Sequence, residues 1–179
     1  MAQLSGLFEE LHRIHRQLAD LRERSAKGPK QVRAAEAAVA KLTQDLEDAK
    51  VAYRNAKVAS DEKQLQLKQR EAKIKDLEGK LNACKTNREF QLLKDQIAAD
   101  QKANSVLSDE ILESFDQLDA LKGKIGSCEA NLAKGKEECQ KVTQRITEQL
   151  QQIASDTERV NGQLADAEAR LPRYQEPSG

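Results

Sequence analysis

"NACKTNREFQLLKDQ", residues 82–96, holds the one polar cluster that interrupts an otherwise repetitive chain of 179 residues, and it lies almost at the midpoint. Thr86-Asn87-Arg88-Glu89 has the spacing of a capping box, in which a Thr hydroxyl accepts from a backbone N–H at a helix start and a Glu three residues on reaches back. Asn87 is a second residue type suited to a cap. A helix start in mid-chain means that two helices meet here. The fold then depends on whether the flanking segments match each other.

They do. From Leu4, steps of seven give Leu11 and Leu18, with Leu7, Ile14 and Leu21 three residues later, a stripe of the coiled-coil kind. Gly28-Pro29 follows, and because Pro lacks a backbone donor and disfavours helix at the residue before it, a break or kink is expected there. The stripe resumes as Val32, Val39, Leu46, Tyr53, Ser60, Leu67, Ile74 and Leu81, accompanied by Ala35 through Cys84. Beyond the midpoint a second frame runs from Phe90 in steps of seven through Ile97, Asn104, Ile111, Leu118, Ile125, Leu132, Cys139, Ile146, Ile153 and Val160 to Ala167. Its partner stripe moves one residue later between Val142 and Leu150, the drift of a 3.6-residue helix against a 3.5-residue repeat.

The expected fold is therefore all-α: a long antiparallel coiled-coil hairpin with a first arm over 1–84, a turn at 84–87 near Lys85, a second arm over 87–171 and an irregular tail over 172–179 that begins at Pro172. Such a hairpin is ~125 Å long at 1.5 Å per residue. Folding at Lys85 opposes residues whose numbers add to about 171. Three features agree with that pairing. The acidic run Asp109, Glu110, Glu113, Asp116 and Asp119 meets Arg54, Lys57 and Lys63; Gly123, Gly126 and Gly135 meet the alanines at 34–40; and Arg70 meets Asp100. The alternative is a parallel dimer of one continuous helix, in which these matches are coincidence. Either a monomeric hairpin or a dimer is compatible with the pattern.

Composition supports a narrow seam and not a globular core. Charged residues make up 34% and aromatic residues 3%, with no Trp, too few large rings to fill an ordinary core. Lys plus Arg and Asp plus Glu are 30 each, so no global field draws the chain to nucleic acid or anionic lipid. The N-terminus MAQLSGLFEELHRIHRQLADL carries charge in every turn and is neither a signal peptide nor a membrane span. A cytoplasmic location without membrane association is the expectation. Cys84, Cys128 and Cys139 are odd in number and widely spaced, as reduced structural thiols are.

"TNREFQLLKDQI", residues 86–97, resembles the turn of the helical hairpin in the bacterial coiled-coil proteins that carry a C-terminal C4-type zinc ribbon. There a polar dipeptide precedes Arg-Glu, an aromatic or apolar residue and a Leu-rich helix. The matching positions are Asn87, Arg88, Glu89, Phe90 and Leu93. The resemblance covers the hairpin, about residues 1–171, and implies a non-enzymatic adaptor, linked in some members to transcription through an alternative sigma factor, to flagellar or secretion machinery, and to RNA. The ribbon itself needs two CxxC pairs to supply four thiolates to tetrahedral zinc. This chain has no CxxC, so zinc is expected only where a ribbon follows.

Chemical motifs are sparse. His12 and His15 stand three apart on a helix with no third histidine, and solvated side chains are the expected reading, with no metal site. Nucleophile elbow, phosphate-cradling loop and Ser/His/Asp set are absent from the sequence, so no enzyme is expected. Two functions remain. In the first, the tip residues Lys85, Asn87, Arg88, Phe90 and Gln91 dock a protein partner while Thr86 and Glu89 cap the helix; Arg and aromatic residues commonly anchor interfaces. The competing reading makes Phe90 a plug for the coil end and Arg88 a solvated charge. In the second, the basic run over 63–88, with Lys68, Lys73, Lys75 and Lys80 as phosphate contacts, binds nucleic acid such as RNA. That run has a local excess of five positive charges. No aromatics are interleaved for base stacking. A hairpin that enters the RNA polymerase channel is a third class, but it generally carries a metal-holding acidic tip, and this one has Glu89 alone.

Overall fold

The computed structural model describes residues 2–172, and its elements are two helices, α1 (Ala2–Ala83) and α2 (Asn87–Ala169). The protein is an all-α helical hairpin, with no strand among the described residues. Of the tail expected over 172–179, residues 173–179 lie outside the described residues. At the far end of α2, the N–H groups of Arg170 and Leu171 donate to Ala167 and Glu168 carbonyls at 3.2 and 3.1 Å, a tightened last turn that satisfies carbonyls left open where a helix stops.

The break expected near Gly28-Pro29 does not occur: Pro29 lies inside α1, which is helical throughout. Pro29 removes the donor for the Ser25 carbonyl, at a cost of about 3 kcal/mol in a helix interior. Two properties of the sequence offset it. The preceding residue is glycine, which has no Cβ to collide with the proline ring. Ser25 and Gly28 also continue the seven-residue frames of Leu4-Leu11-Leu18 and Leu7-Ile14-Leu21 without a skip. Gly28 is buried, and a Cβ built on it would stand 2.9 Å from Ile146 Cγ2 and 3.5 Å from Leu150 Cδ2. Packing of α2 onto this backbone holds the helix where proline alone would end it.

The chain forms two compact units. In the terminal unit, Met1–Lys41 with Ala133–Gly179, the described residues build a core from Leu7, Ile14, Leu18 and Leu21 of α1 and Ile153, Val160 and Ala167 of α2, flanked by Leu11, Leu164 and Leu171. All are apolar, and each fully buried Leu, Ile or Val contributes about 1.5–3 kcal/mol. Glu10 and Arg170 close the edge of this seam, Arg170 Nη2 donating to Glu10 Oε1 at 3.0 Å.

The hairpin unit, Leu42–Leu132, has a different seam. Ala49, Ile74, Ile97, Leu107, Ile111, Leu118 and Leu132 are buried, but so are Ser60 and Asn104. The hydroxyls of Ser60 and Ser114 meet across the helices at 2.9 Å, and Ser114 also donates to the Ile111 carbonyl at 2.6 Å. Lys63 pairs with Glu110 at 3.8 Å. The Lys122 ammonium lies 6.0 Å from the Tyr53 ring centroid.

Ser60 with Ser114 sets the register of this unit, their numbers adding to 174 where folding at Lys85 predicts 171. The expected meeting of Arg70 with Asp100 therefore fails. In the observed register Arg70 falls opposite Asn104 and is exposed, whereas Asp100 falls opposite Ile74. Asp100 Oδ2 and Asn104 Oδ1 are buried without a hydrogen-bond partner. Of the three cations expected to face the acidic run, Lys63 alone does so. Arg54 turns to Glu47 at 3.2 Å and Lys57 to Asp61 at 3.1 Å, both within α1. Nor do Gly123 and Gly126 mark a close helix approach, since a Cβ on either would meet nothing within 4 Å. Gly28 is used that way.

Candidate functional site

The tip is built by the end of α1 at Ala83 and the start of α2 at Asn87. Thr86 is the residue that starts α2: its carbonyl accepts from Phe90 N–H at 3.1 Å and its Oγ1 accepts from Glu89 N–H at 3.2 Å. The first is the opening bond of the helix, and the second satisfies one of the donors that a helix start leaves open. The Glu89 carboxylate makes no return bond to Thr86 among the described residues, so half of the expected capping box is present. Its charge still sits in the first turn of α2, where the helix dipole favours an anion. On the other side Cys84 is half-buried and its thiol donates to the Leu81 carbonyl at 3.1 Å.

The five tip residues singled out from the sequence are all exposed, but they are not alike. The side chains of Lys85, Asn87 and Arg88 hold no hydrogen bond or ion pair among the described residues. Gln91 is occupied, donating to Asp95 Oδ1 at 2.9 Å along its own helix. Phe90 keeps 43% of its surface in solvent. It stands beside a residue that the sequence frame passes over. Leu92 is 64% exposed, and with Leu93, Glu89, Lys80, Ala83 and Cys84 it lines a shallow depression of about 420 Å³. A signal for it existed: Leu92 and Leu93 are adjacent, a helix turns ~100° per residue, and only one of them can face the seam.

The four lysines expected to contact phosphate are exposed on α1, but they do not share a face. Lys68 and Lys75 lie on one flank and Lys73 and Lys80 on another, ~140° around the helix at 3.6 residues per turn. Lys80 pairs with Asp76 at 3.6 Å.

His12 and His15 are exposed, and the three thiols are free and half-buried. Among the described residues no group of three His, Cys, Asp or Glu side chains is arranged to hold a metal ion, and no helix is long and apolar enough to cross a membrane. No protein-family model, curated protein or solved structure matches the chain.

Proposed function

We propose that the protein is a non-enzymatic coiled-coil adaptor that docks a protein partner through the hairpin tip. The observation that carries this reading is the pairing of exposed apolar surface, Phe90 and Leu92, with unpaired cations, Lys85 and Arg88, on a capped turn. Partly exposed aromatic rings and arginines are residue types that anchor interfaces, and a fixed turn spares the entropy of ordering them on binding. Asn87 and the shoulder of Leu93 complete the surface. Cys84, Cys128 and Cys139, all free thiols, fit work in the reducing cytoplasm. Membership in the zinc-ribbon hairpin family, with its links to transcription and to secretion or flagellar machinery, belongs to the same proposal and rests on the Asn87-Arg88-Glu89-Phe90 motif. Zinc enters only with a ribbon that follows in the reading frame.

Capture of binding proteins with the hairpin, compared with Arg88→Ala plus Phe90→Ala, tests the proposal. Loss of the captured species with helicity intact supports it, and unchanged capture refutes it. If the retained species is instead RNA that dissociates between low and physiological salt, the phosphate-binding reading through Lys68, Lys73, Lys75 and Lys80 replaces it.

A further inference from the structure

The outermost positions of α1 in the hairpin unit carry no charge. Gln44, Val51, Val58, Leu65, Ala72 and Gly79 follow one another at intervals of seven, on the side of the helix turned away from the seam formed by Ala49, Ser60 and Ile74. Val51, Val58 and Leu65 are 39%, 57% and 56% exposed. Solvated outer positions of a coiled coil are normally polar or charged, as Glu9, Arg16, Glu23 and Lys30 are at the same place in the repeat of the terminal unit. An apolar stripe in that position is a surface that lacks its cover.

The charges beside it identify the cover. On one flank of the stripe stand Glu47, Arg54, Asp61 and Lys68, again at intervals of seven. Their alignment is real in space, since Arg54 reaches back to Glu47 at 3.2 Å along that flank. When two identical helices pair antiparallel about a two-fold axis, residues on the same flank of each face one another. Centring the axis on Val58 pairs Val58 with itself and Val51 with Leu65. It also places Arg54 opposite Asp61 of the second copy and Glu47 opposite its Lys68, each contact occurring twice. Every pair on this flank is of opposite sign, and the other flank, Asp48, Asn55, Glu62 and Gln69, brings Asp48 to Gln69 and Asn55 to Glu62 without a like-charge contact. A parallel pairing in register sets each residue level with its own counterpart and gains none of these opposite-sign pairs.

We propose that the Val51-Val58-Leu65 face is a homodimerisation surface on which a second copy of this chain packs antiparallel, with Arg54–Asp61 and Glu47–Lys68 contacts setting the register. The inference is independent of the tip and of what the tip binds. Apolar burial drives the association and the alternating charges reject other registers, because juxtaposed like charges are costly.

Sedimentation equilibrium of the full chain and of three variants tests it. The unaltered chain is expected to dimerise, and Val58→Glu to raise the dimer dissociation constant by at least about tenfold. Arg54→Asp and Asp61→Arg are each expected to lose self-association to a similar degree, since each places like charges at both contacts. Mixed one to one, these two variants are expected to recover dimers. The carboxylate introduced at position 54 of one then meets the guanidinium introduced at position 61 of the other, while at the second contact the retained Asp61 meets the retained Arg54. Helical circular dichroism shows that each variant is folded. A monomeric unaltered chain overturns the proposal, as does a mixture that stays monomeric or a Val58→Glu variant that dimerises as well as the unaltered chain.

Discussion

The two units of this hairpin arrange similar residue types in opposite ways. In the terminal unit the buried side chains are apolar, from Ile14, fully buried, to Val160 and Ala167. The hairpin unit places Ser60, Ser114, Asn104 and Asp100 in its seam. Outside the seam the order reverses: eight of the ten large apolar side chains exposed among the described residues belong to the hairpin unit, and Leu4 and Phe8 to the terminal one. A seam of Leu, Ile and Val holds helices together strongly but fixes register weakly. Polar seam residues cost stability and specify register, because only one alignment partners them. The buried polar groups are therefore expected to make the hairpin unit the less stable of the two, and it also carries the surfaces to which binding is assigned.

That contrast can be broken most forcefully at Ile14. Ile14→Ala is expected to cost about 2–5 kcal/mol by removing a fully enclosed side chain, measured by urea unfolding. Leu67→Ala, in the half-exposed seam of the hairpin unit, is expected to cost clearly less. Equal losses would remove the asymmetry.

Asn104 offers a change of the opposite sign. Its Oδ1 is buried without a partner, and a buried unsatisfied polar group costs about 1–3 kcal/mol. Asn104→Leu is therefore expected to raise the unfolding midpoint, and a lowered midpoint would show that the asparagine is satisfied in solution. Glycines sharpen the picture further. Gly28→Ala is expected to destabilise, because overpacking against Ile146 costs about 1–3 kcal/mol and exceeds the helix-propensity gain. Gly126→Ala, with open space around it, is expected to stabilise by about 1 kcal/mol. The smallest effect is sought at the tip, where Thr86→Ala is expected to cost about 1 kcal/mol through loss of the bond to Glu89 N–H.

Much of this architecture is legible in the sequence, for a physical reason: a hairpin of two long helices buries residues at one spacing, so Leu7, Ile14, Ile111 and Ile153 declare themselves. Local rules applied without the repeat mislead. Pro29 suggests a break, yet Ser25 and Gly28 already keep the frame, and tertiary packing outweighs one missing hydrogen bond. A register read from Lys85 falls three short in its residue sum because the pairing of the two helices centres on Asn87, the first residue of α2, and not on Lys85. In the observed register Cys84 falls opposite Phe90, with the turn and the first residues of α2 between them. At the tip, Thr86 is identifiable from its cap spacing and Leu92 from its adjacency to the seam residue Leu93, whereas the exposure of Phe90 depends on where the seam ends and has no sequence signature of its own. The outer stripe of Val51, Val58 and Leu65 is visible at the same spacing as the seam, but it gains meaning only once the seam is known to lie on the other side of α1.

Native-state hydrogen exchange along α2 tests the central claim most directly, at concentrations where the chain is monomeric. Amides at 153–167, beside the buried Ile153, Val160 and Ala167 of the terminal unit, are expected to exchange more slowly than those at 100–114, beside Asn104 and Ser114. Faster exchange at 153–167, or equal protection in both segments, would contradict it.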